Sequence, residues 1–134
     1  MAGAVIDASV AVKWYLTESG SSEAVRLRSD GTELIAPATI TLEVYNALWN
    51  AVRRKRAVPA TLELGERTLP NLPWVLVGVD QLFARAAQLS RARQHSIFDC
   101  LYVALAERQS VPLVTADLRL FEIARRTRTP ARML

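Results

Sequence analysis

Between Ser96 and Glu107 the chain reads Ser-Ile-Phe-Asp-Cys-Leu-Tyr-Val-Ala-Leu-Ala-Glu. From Ile97 to Ala106 this is a helix with apolar residues around its whole girth, and such a helix belongs inside a domain. Asp99 is the one residue that breaks the pattern. An ionised carboxylate buried without a partner costs several kcal/mol even after relaxation. A basic side chain, backbone N–H groups or a metal ion must therefore meet it. Taken alone, Asp99 reads as a first-turn acid at the positive pole of a helix. The other acids of the chain shift that balance.

Ala4-Val5-Ile6 is a short apolar run that ends at Asp7, so it reads as a buried strand with a carboxylate at its C-terminal tip. Ser9 can cap a helix starting near Val10 and carrying Val12, Trp14, Tyr15 and Leu16 to a stop at Gly20. A more polar helix runs from Ser21 to Asp30-Gly31. Leu34-Ile35-Ala36 forms a second strand, stopped by Pro37. Thr39 or Thr41 opens a helix with Glu43 in its first turns and Leu42, Leu48 and Val52 among its apolar positions. That helix runs into Arg53-Arg54-Lys55-Arg56. After Pro59, Thr61 starts a further helix to Leu69. Trp74 to Val77 is a third strand. Asp80 caps an amphipathic helix whose inner side carries Leu82, Phe83, Ala86, Ala87 and Leu89. After the organising helix, Val111 to Val114 is a fourth strand with Thr115 at its tip, followed by Asp117 and a last helix through Ala124. The basic tail can add an edge strand at Arg132-Met133-Leu134.

Short apolar strands alternating with helices predict a parallel sheet covered on both faces, a three-layer α/β/α arrangement with four to five strands. A length of 134 residues, 51% hydrophobic, suits one domain spanning residues 1–134. The longest uncharged run, Thr68 to Val79, is too short for a membrane span and holds two prolines. No signal peptide is expected, since Asp7 falls where its apolar core would lie. The single cysteine, Cys100, excludes an internal disulfide and fits a reducing, cytoplasmic setting. The formal charge of +4 is a modest bias toward anionic partners.

In open α/β sheets ligands bind outside the carboxyl ends of the strands. Asp7 and Asp117 fall at that edge, and Glu43 and Asp99 each sit early in a helix packed on the sheet. Two unit charges about 5 Å apart repel by roughly 3 kcal/mol at an effective dielectric near 20. Four acids in one cleft therefore need protonation or a cation. A hard divalent ion with oxygen ligands, Mg²⁺ or Mn²⁺, is the simplest solution. Zinc is disfavoured by one cysteine and one histidine without ligand spacing. Such a centre suits phosphodiester hydrolysis, with a basic surface guiding a nucleic acid in. No G-x-S-x-G elbow, P-loop or glycine-rich dinucleotide loop is present. His95 reads as a solvated or capping residue at a helix junction.

Val-Ile-Asp7-Ala-Ser9, Glu43 within Thr-Leu-Glu-Val-Tyr-Asn-Ala-Leu, Phe98-Asp99-Cys-Leu-Tyr-Val-Ala-Leu-Ala-Glu107 and Leu-Val-Thr115-Ala-Asp117 resemble the ordered motifs of PIN domains. The nearest likeness is to the VapC-type ribonuclease toxins of toxin–antitoxin pairs, from Val5 to about Ala124. By that resemblance Asp7, Glu43, Asp99 and Asp117 are the acidic metal-site residues, Glu43 acting directly or through water, with Ser9 and Thr115 as polar support. The resemblance implies a PIN-like fold and Mg²⁺- or Mn²⁺-dependent endoribonuclease activity. It also implies a homodimer, and inhibition by a cognate antitoxin, with which a higher assembly can form.

Each feature has a plainer reading. Asp7 can be a turn residue, Glu43 a dipole acid, and Asp117, Ser9 and Thr115 caps. Arg53, Arg54, Lys55 and Arg56 read first as a solvated helix end and second as a contact for RNA or an acidic partner. Trp14, Tyr15, Tyr45 and Trp49 read as core or dimer interface, and Cys100 has no redox role. A competing function is a non-catalytic module whose acidic cleft takes a basic peptide. A phosphatase-like hydrolase with Asp7 as nucleophile ranks below both, because Ser9 stands where a second acid is usual.

Overall fold

The computed structural model describes residues 2–134. Five short strands form one parallel sheet: β1 (Gly3–Ile6), β2 (Glu33–Pro37), β3 (Trp74–Val77), β4 (Leu113–Thr115) and β5 (Ala131–Met133), in the spatial order β3-β2-β1-β4-β5. Seven α-helices connect and cover them: α1 (Ala8–Ala11), α2 (Ser21–Ser29), α3 (Ile40–Arg53), α4 (Ala60–Thr68), α5 (Phe83–Arg93), α6 (Ile97–Gln109) and α7 (Leu118–Arg126). The result is the three-layer α/β/α arrangement that the alternation of apolar runs predicts. The chain winds outward from the central strand in both directions. Its order reverses beside β1, and at such a switch point open α/β sheets bind ligands outside the carboxyl ends of the strands, here those of β1 and β4.

The organising helix behaves as its composition demands. From Cys100 to Ala106 every side chain of α6 is buried, and the helix packs on β1, β2 and β4 as well as α5 and α7. Ser96 caps it by accepting from the Phe98 N–H at 3.2 Å. The core behind it joins Val5, Ile6, Ile35, Val44, Leu48, Leu105, Leu113 and Leu120. No helix is long and apolar enough to cross a membrane among the described residues.

Several local expectations need correction. The helix expected from Val10 to a stop at Gly20 is only α1 and a 3₁₀ turn at Val12–Trp14. Its cap is Asp7, not Ser9, because a carboxylate at the strand tip already reaches the Val10 N–H. Gly20 instead adopts φ +87° just before α2, a left-handed conformation that glycine takes without a Cβ penalty. Thr39 precedes α3 but its side chain caps nothing. Leu42 on α3 is 74% exposed, so the apolar girth read there is incomplete. Asp80 lies in a 3₁₀ turn at Val79–Gln81 rather than capping α5, and Phe83 faces outward at 57% exposure. Strand β3 is an edge strand with Val75 and Leu76 exposed, so the sheet is not covered evenly on both faces. The C-terminal strand forms one residue earlier than Arg132-Leu134 and pairs in parallel with β4.

Candidate active site

Strands β1 and β4 pair Ile6 with Val114, so the next residue on each, Asp7 and Thr115, meets the other at that carboxyl edge. Thr115 donates from Oγ1 to Asp7 Oδ2 at 2.7 Å, and Ser9 donates from Oγ to Asp7 Oδ1 at 2.6 Å. The Val10 N–H adds a longer bond to Oδ1 at 3.3 Å. The two hydroxyls are themselves held. Ser9 Oγ accepts from the Ala116 N–H and Thr115 Oγ1 from the Asp117 N–H, both at 3.0 Å. The first strand, the first helix and the β4–α7 loop are thus tied through one carboxylate. Ser9 and Thr115 hold it from both sides and are not caps of their own helices.

Asp7 is 4% exposed. Burial pushes its pKa up to about 6, against the opposing pull of Ser9, Thr115 and the Val10 N–H, and the charge of Asp117 raises it further. Asp117 caps α7, accepting at Oδ1 from the Arg119 and Leu120 N–H groups at 2.9 and 3.4 Å. Its plain role as a cap therefore holds, and its charge also reaches Asp7.

Glu43 comes from the opening turns of α3. Burial raises its pKa, the nearby Thr39 and Tyr102 hydroxyls partly offset this, and the charges of Asp99 and Asp7 raise it again. Its Oε2 is buried without a hydrogen-bond partner, as are Thr39 Oγ1 and the Tyr102 hydroxyl. Orphaned buried polar atoms are uncommon and call for an explanation. The phenol of Tyr102 is pushed up by burial first and then by the charges of Glu43, Asp7 and Asp99. It stands at the floor of the acidic group.

Asp99 lies in the first turn of α6 with its side chain 35% exposed. Its Oδ2 is 2.8 Å from His95 Nε2, and the His95 side chain is only 7% exposed. His95 is therefore neither solvated nor a cap, as its position in the sequence suggested. The signal lay in the spacing of four residues to Asp99. Reading it requires the chain path between α5 and α6, which the sequence pattern does not display. Tyr102 was passed over as one more apolar-face residue.

The four acids are electrostatically linked: Asp7 feels Asp117, and Glu43 feels both Asp7 and Asp99. None of them meets a lysine or arginine in a salt bridge among the described residues. The cationic run Arg53–Arg56 is exposed at the far end of α3, about 15 Å along the helix axis from Glu43. Arg53 there lies over the Trp49 ring at 5.0 Å. Those four basic residues line no part of the acidic group.

The donor set is all oxygen, which suits a hard divalent ion that keeps several of its own waters. Burial of Glu43 beside the charges of Asp99 and Asp7, with no lysine or arginine paired to it among the described residues, is the observation that most favours such an ion. Among the described residues no three acid, histidine or cysteine side chains stand close enough together to hold a metal ion, so the four acids are not a ready-made cage. An ion held here would thus rely on water for part of its shell, which is how Mg²⁺ is commonly bound. Cys100, behind Asp99, is buried with its thiol pushed up to about 11, chiefly by burial, so it is protonated and chemically quiet.

Comparison with known proteins gives one consistent answer. The profile of the family described as PIN domain matches residues 4–126. Ribonuclease VapC12 of Mycobacterium tuberculosis is 39% identical over 120 residues, covering 87% of this chain and 88% of that protein. Ribonuclease VapC3 of the same organism is 34% identical over 116 residues, covering 87% and 83%. Among solved structures, PAE2754 from Pyrobaculum aerophilum superposes with a TM-score of 0.72 over 99% of this chain and 92% of that one, at 21% identity. VapC20 of Mycobacterium tuberculosis, a toxin that cleaves the sarcin–ricin loop, gives 0.70 over 88% and 92%, at 14% identity. At those identities the two structures speak for the fold alone.

Proposed function

The chain belongs to the PIN domain family, and from that premise we propose that it is a divalent-metal-dependent endoribonuclease, the toxin of a type II toxin–antitoxin pair. The observation that carries this reading is the set of linked acids Asp7, Glu43, Asp99 and Asp117, which no arginine or lysine pairs with among the described residues. These four carboxylates hold Mg²⁺ or Mn²⁺, with Glu43 engaging directly or through water. Such an ion, when bound, would supply Lewis acidity to an attacking water and to the scissile phosphate.

The protein's own part is to place oxygens and to offset some of the cost of charging them in a buried setting. Ser9 and Thr115 each give one hydroxyl hydrogen to Asp7, which favours its charged form and fixes the carboxylate plane. Asp117 is oriented by two N–H groups of α7. The excess of basic residues over acidic ones draws RNA toward the molecule in a salt-dependent way. Arg53, Arg54, Lys55 and Arg56 contribute to that field, or to an acidic partner's docking, from outside the catalytic group. An antitoxin partner, a homodimer and a cytoplasmic setting belong to this reading as expectations carried by the family resemblance. The whole chain, residues 1–134, acts as one domain in this reading.

Cleavage of a structured RNA pool by purified protein tests the proposal. We expect cutting that requires Mg²⁺ or Mn²⁺, stops with a chelator, and is lost in Asp7→Ala and Asp99→Ala. Undiminished cutting by both variants contradicts the assigned site. Persistent inactivity of folded protein, together with tight binding of a basic peptide, favours the non-catalytic module instead.

A further inference from the structure

The sharp corner between α5 and α6 brings one histidine against Asp99. Gln94 ends α5 in the left-handed region, at φ +51°, and turns the chain back on itself. His95 follows immediately and is clamped at both ends of its backbone. Its N–H donates to the Ser90 carbonyl at 3.2 Å, and its own carbonyl accepts from Ser90 Oγ at 2.6 Å. Ser96 then caps α6. The imidazole is thereby seated on a rigid corner, and its Nε2 meets Asp99 Oδ2 at 2.8 Å.

An ionised carboxylate can only accept, so Nε2 carries the hydrogen and donates it to Asp99. One oxygen of Asp99 is then occupied, and rotation of the carboxylate about its bond to Cβ is arrested. That leaves Oδ1 as the oxygen Asp99 can offer to the acidic group, where its charge reaches Glu43. A half-exposed aspartate at a helix start would otherwise sample several orientations. Groups that hydrogen-bond a ligating side chain from behind fix its direction, and their loss weakens metal binding by roughly 10–100-fold.

We infer that His95 is a positioning residue for Asp99: its Nε2–H holds one carboxylate oxygen so that the other is directed at the bound divalent ion. The inference rests on the metal-site reading of Asp99 above. It assigns to this chain's own histidine a role outside the acidic set.

The test is Mn²⁺ binding to the purified full-length protein, measured by calorimetry or by loss of the free-ion electron paramagnetic resonance signal. His95→Ala is expected to weaken Mn²⁺ binding by about tenfold or more. His95→Gln, whose amide N–H can reach the same oxygen, is expected to recover most of the affinity. In RNA cleavage, His95→Ala should raise the Mn²⁺ concentration needed for half-maximal rate more than it lowers the rate at saturating Mn²⁺. Circular dichroism and metal-free melting separate this from misfolding. Equal Mn²⁺ affinity in His95→Ala and the parent protein overturns the role, as does failure of His95→Gln to recover binding while remaining folded. Asp99→Asn and Asp7→Asn, run alongside, tell the two readings apart. If those also bind like the parent, the metal site itself is wrong. If they lose binding while His95→Ala keeps it, only the positioning role is wrong.

Discussion

The two ends of α6 treat an acid in opposite ways. Near its C-terminus Glu107 is gripped by Arg85 through two bonds of 2.8 Å, from Nε and from one terminal nitrogen. This is the side-by-side pairing that guanidinium groups make with carboxylates. Near its N-terminus Asp99 belongs to a group of four acids that meets hydroxyls, backbone N–H groups and one imidazole, but no arginine or lysine. The chain does not lack cations, since it carries 17 lysines and arginines. Cationic side chains are therefore held away from one particular cleft. What differs between the two ends is whether the negative charge is already balanced by a cationic side chain, and it is at the unbalanced end that we propose an ion.

The contrast can be broken most severely at the unbalanced end. Asp7→Asn or Asp99→Asn should reduce metal-dependent RNA cleavage by at least about a hundredfold, the scale of losing a charge-stabilising group from a catalytic site. Glu107→Gln should leave it within about twofold of the parent rate, since a pair that far from the reacting atoms stabilises only the ground-state fold. Comparable losses in all three variants would erase the distinction drawn here.

Stability against pH is the next lever. The folded pKa of Asp7, about 6, lies above its ordinary value of 3.8. The folded state therefore holds the proton more tightly than the unfolded chain does. The stabilisation linked to that proton is fully present below pH 3.8 and is lost as pH rises through about 6. Two units correspond to about 3 kcal/mol, an order-of-magnitude figure. Glu43 shifts in the same direction. Urea unfolding of the metal-free protein should show stability falling between about pH 4 and pH 6 from this source, with the fall removed in Asp7→Asn. Saturating Mn²⁺ should restore more stability at pH 7.5 than at pH 5, because only the ionised group binds the ion. A Mn²⁺ effect that does not change with pH would contradict the assignment.

A smaller change sharpens the same point. Thr115→Val removes the donor to Asp7 Oδ2 while keeping the side chain's shape. Hydrogen bonds to charged groups are worth roughly 1.5–3 kcal/mol. Unfolding at pH 7.5 should reveal a loss of about 2 kcal/mol, and the Asp7 carboxyl followed by NMR should titrate higher than in the parent. An unchanged titration would mean that Thr115 holds the loop and not the charge. The smallest effect belongs to the balanced end. Arg85 and Glu107 are each partly exposed, so screening limits their pair to about 0.2–1 kcal/mol, and Glu107→Gln should cost no more.

Much of this architecture was legible in the residues themselves. The apolar run of α6 could only be an interior helix, and the strand at Ala4-Val5-Ile6 could only end at Asp7, so the acid's place at the sheet edge followed. Asp117 caps the last helix, as its plain reading expects, and its charge also reaches Asp7. What stayed hidden was contact set by tertiary path. Ser9 looked like a helix cap because local spacing allowed it, but Asp7 took that position and turned the serine hydroxyl inward. His95 looked solvated because a left-handed turn at Gln94 is not written in hydrophobic pattern. Tyr102 looked like core because a phenol's hydroxyl counts as apolar surface until its neighbours are known to be acids. Asp80, by contrast, had the composition of a cap and the structure gave that place to a 3₁₀ turn.

Anomalous diffraction from a crystal of the protein grown with Mn²⁺ tests the central claim most directly. The account predicts ordered Mn²⁺ among Asp7, Glu43, Asp99 and Asp117, with part of its shell made of water and none beside the Arg85–Glu107 pair. A saturated crystal with no anomalous peak among those four acids, or with its ordered Mn²⁺ elsewhere, contradicts it.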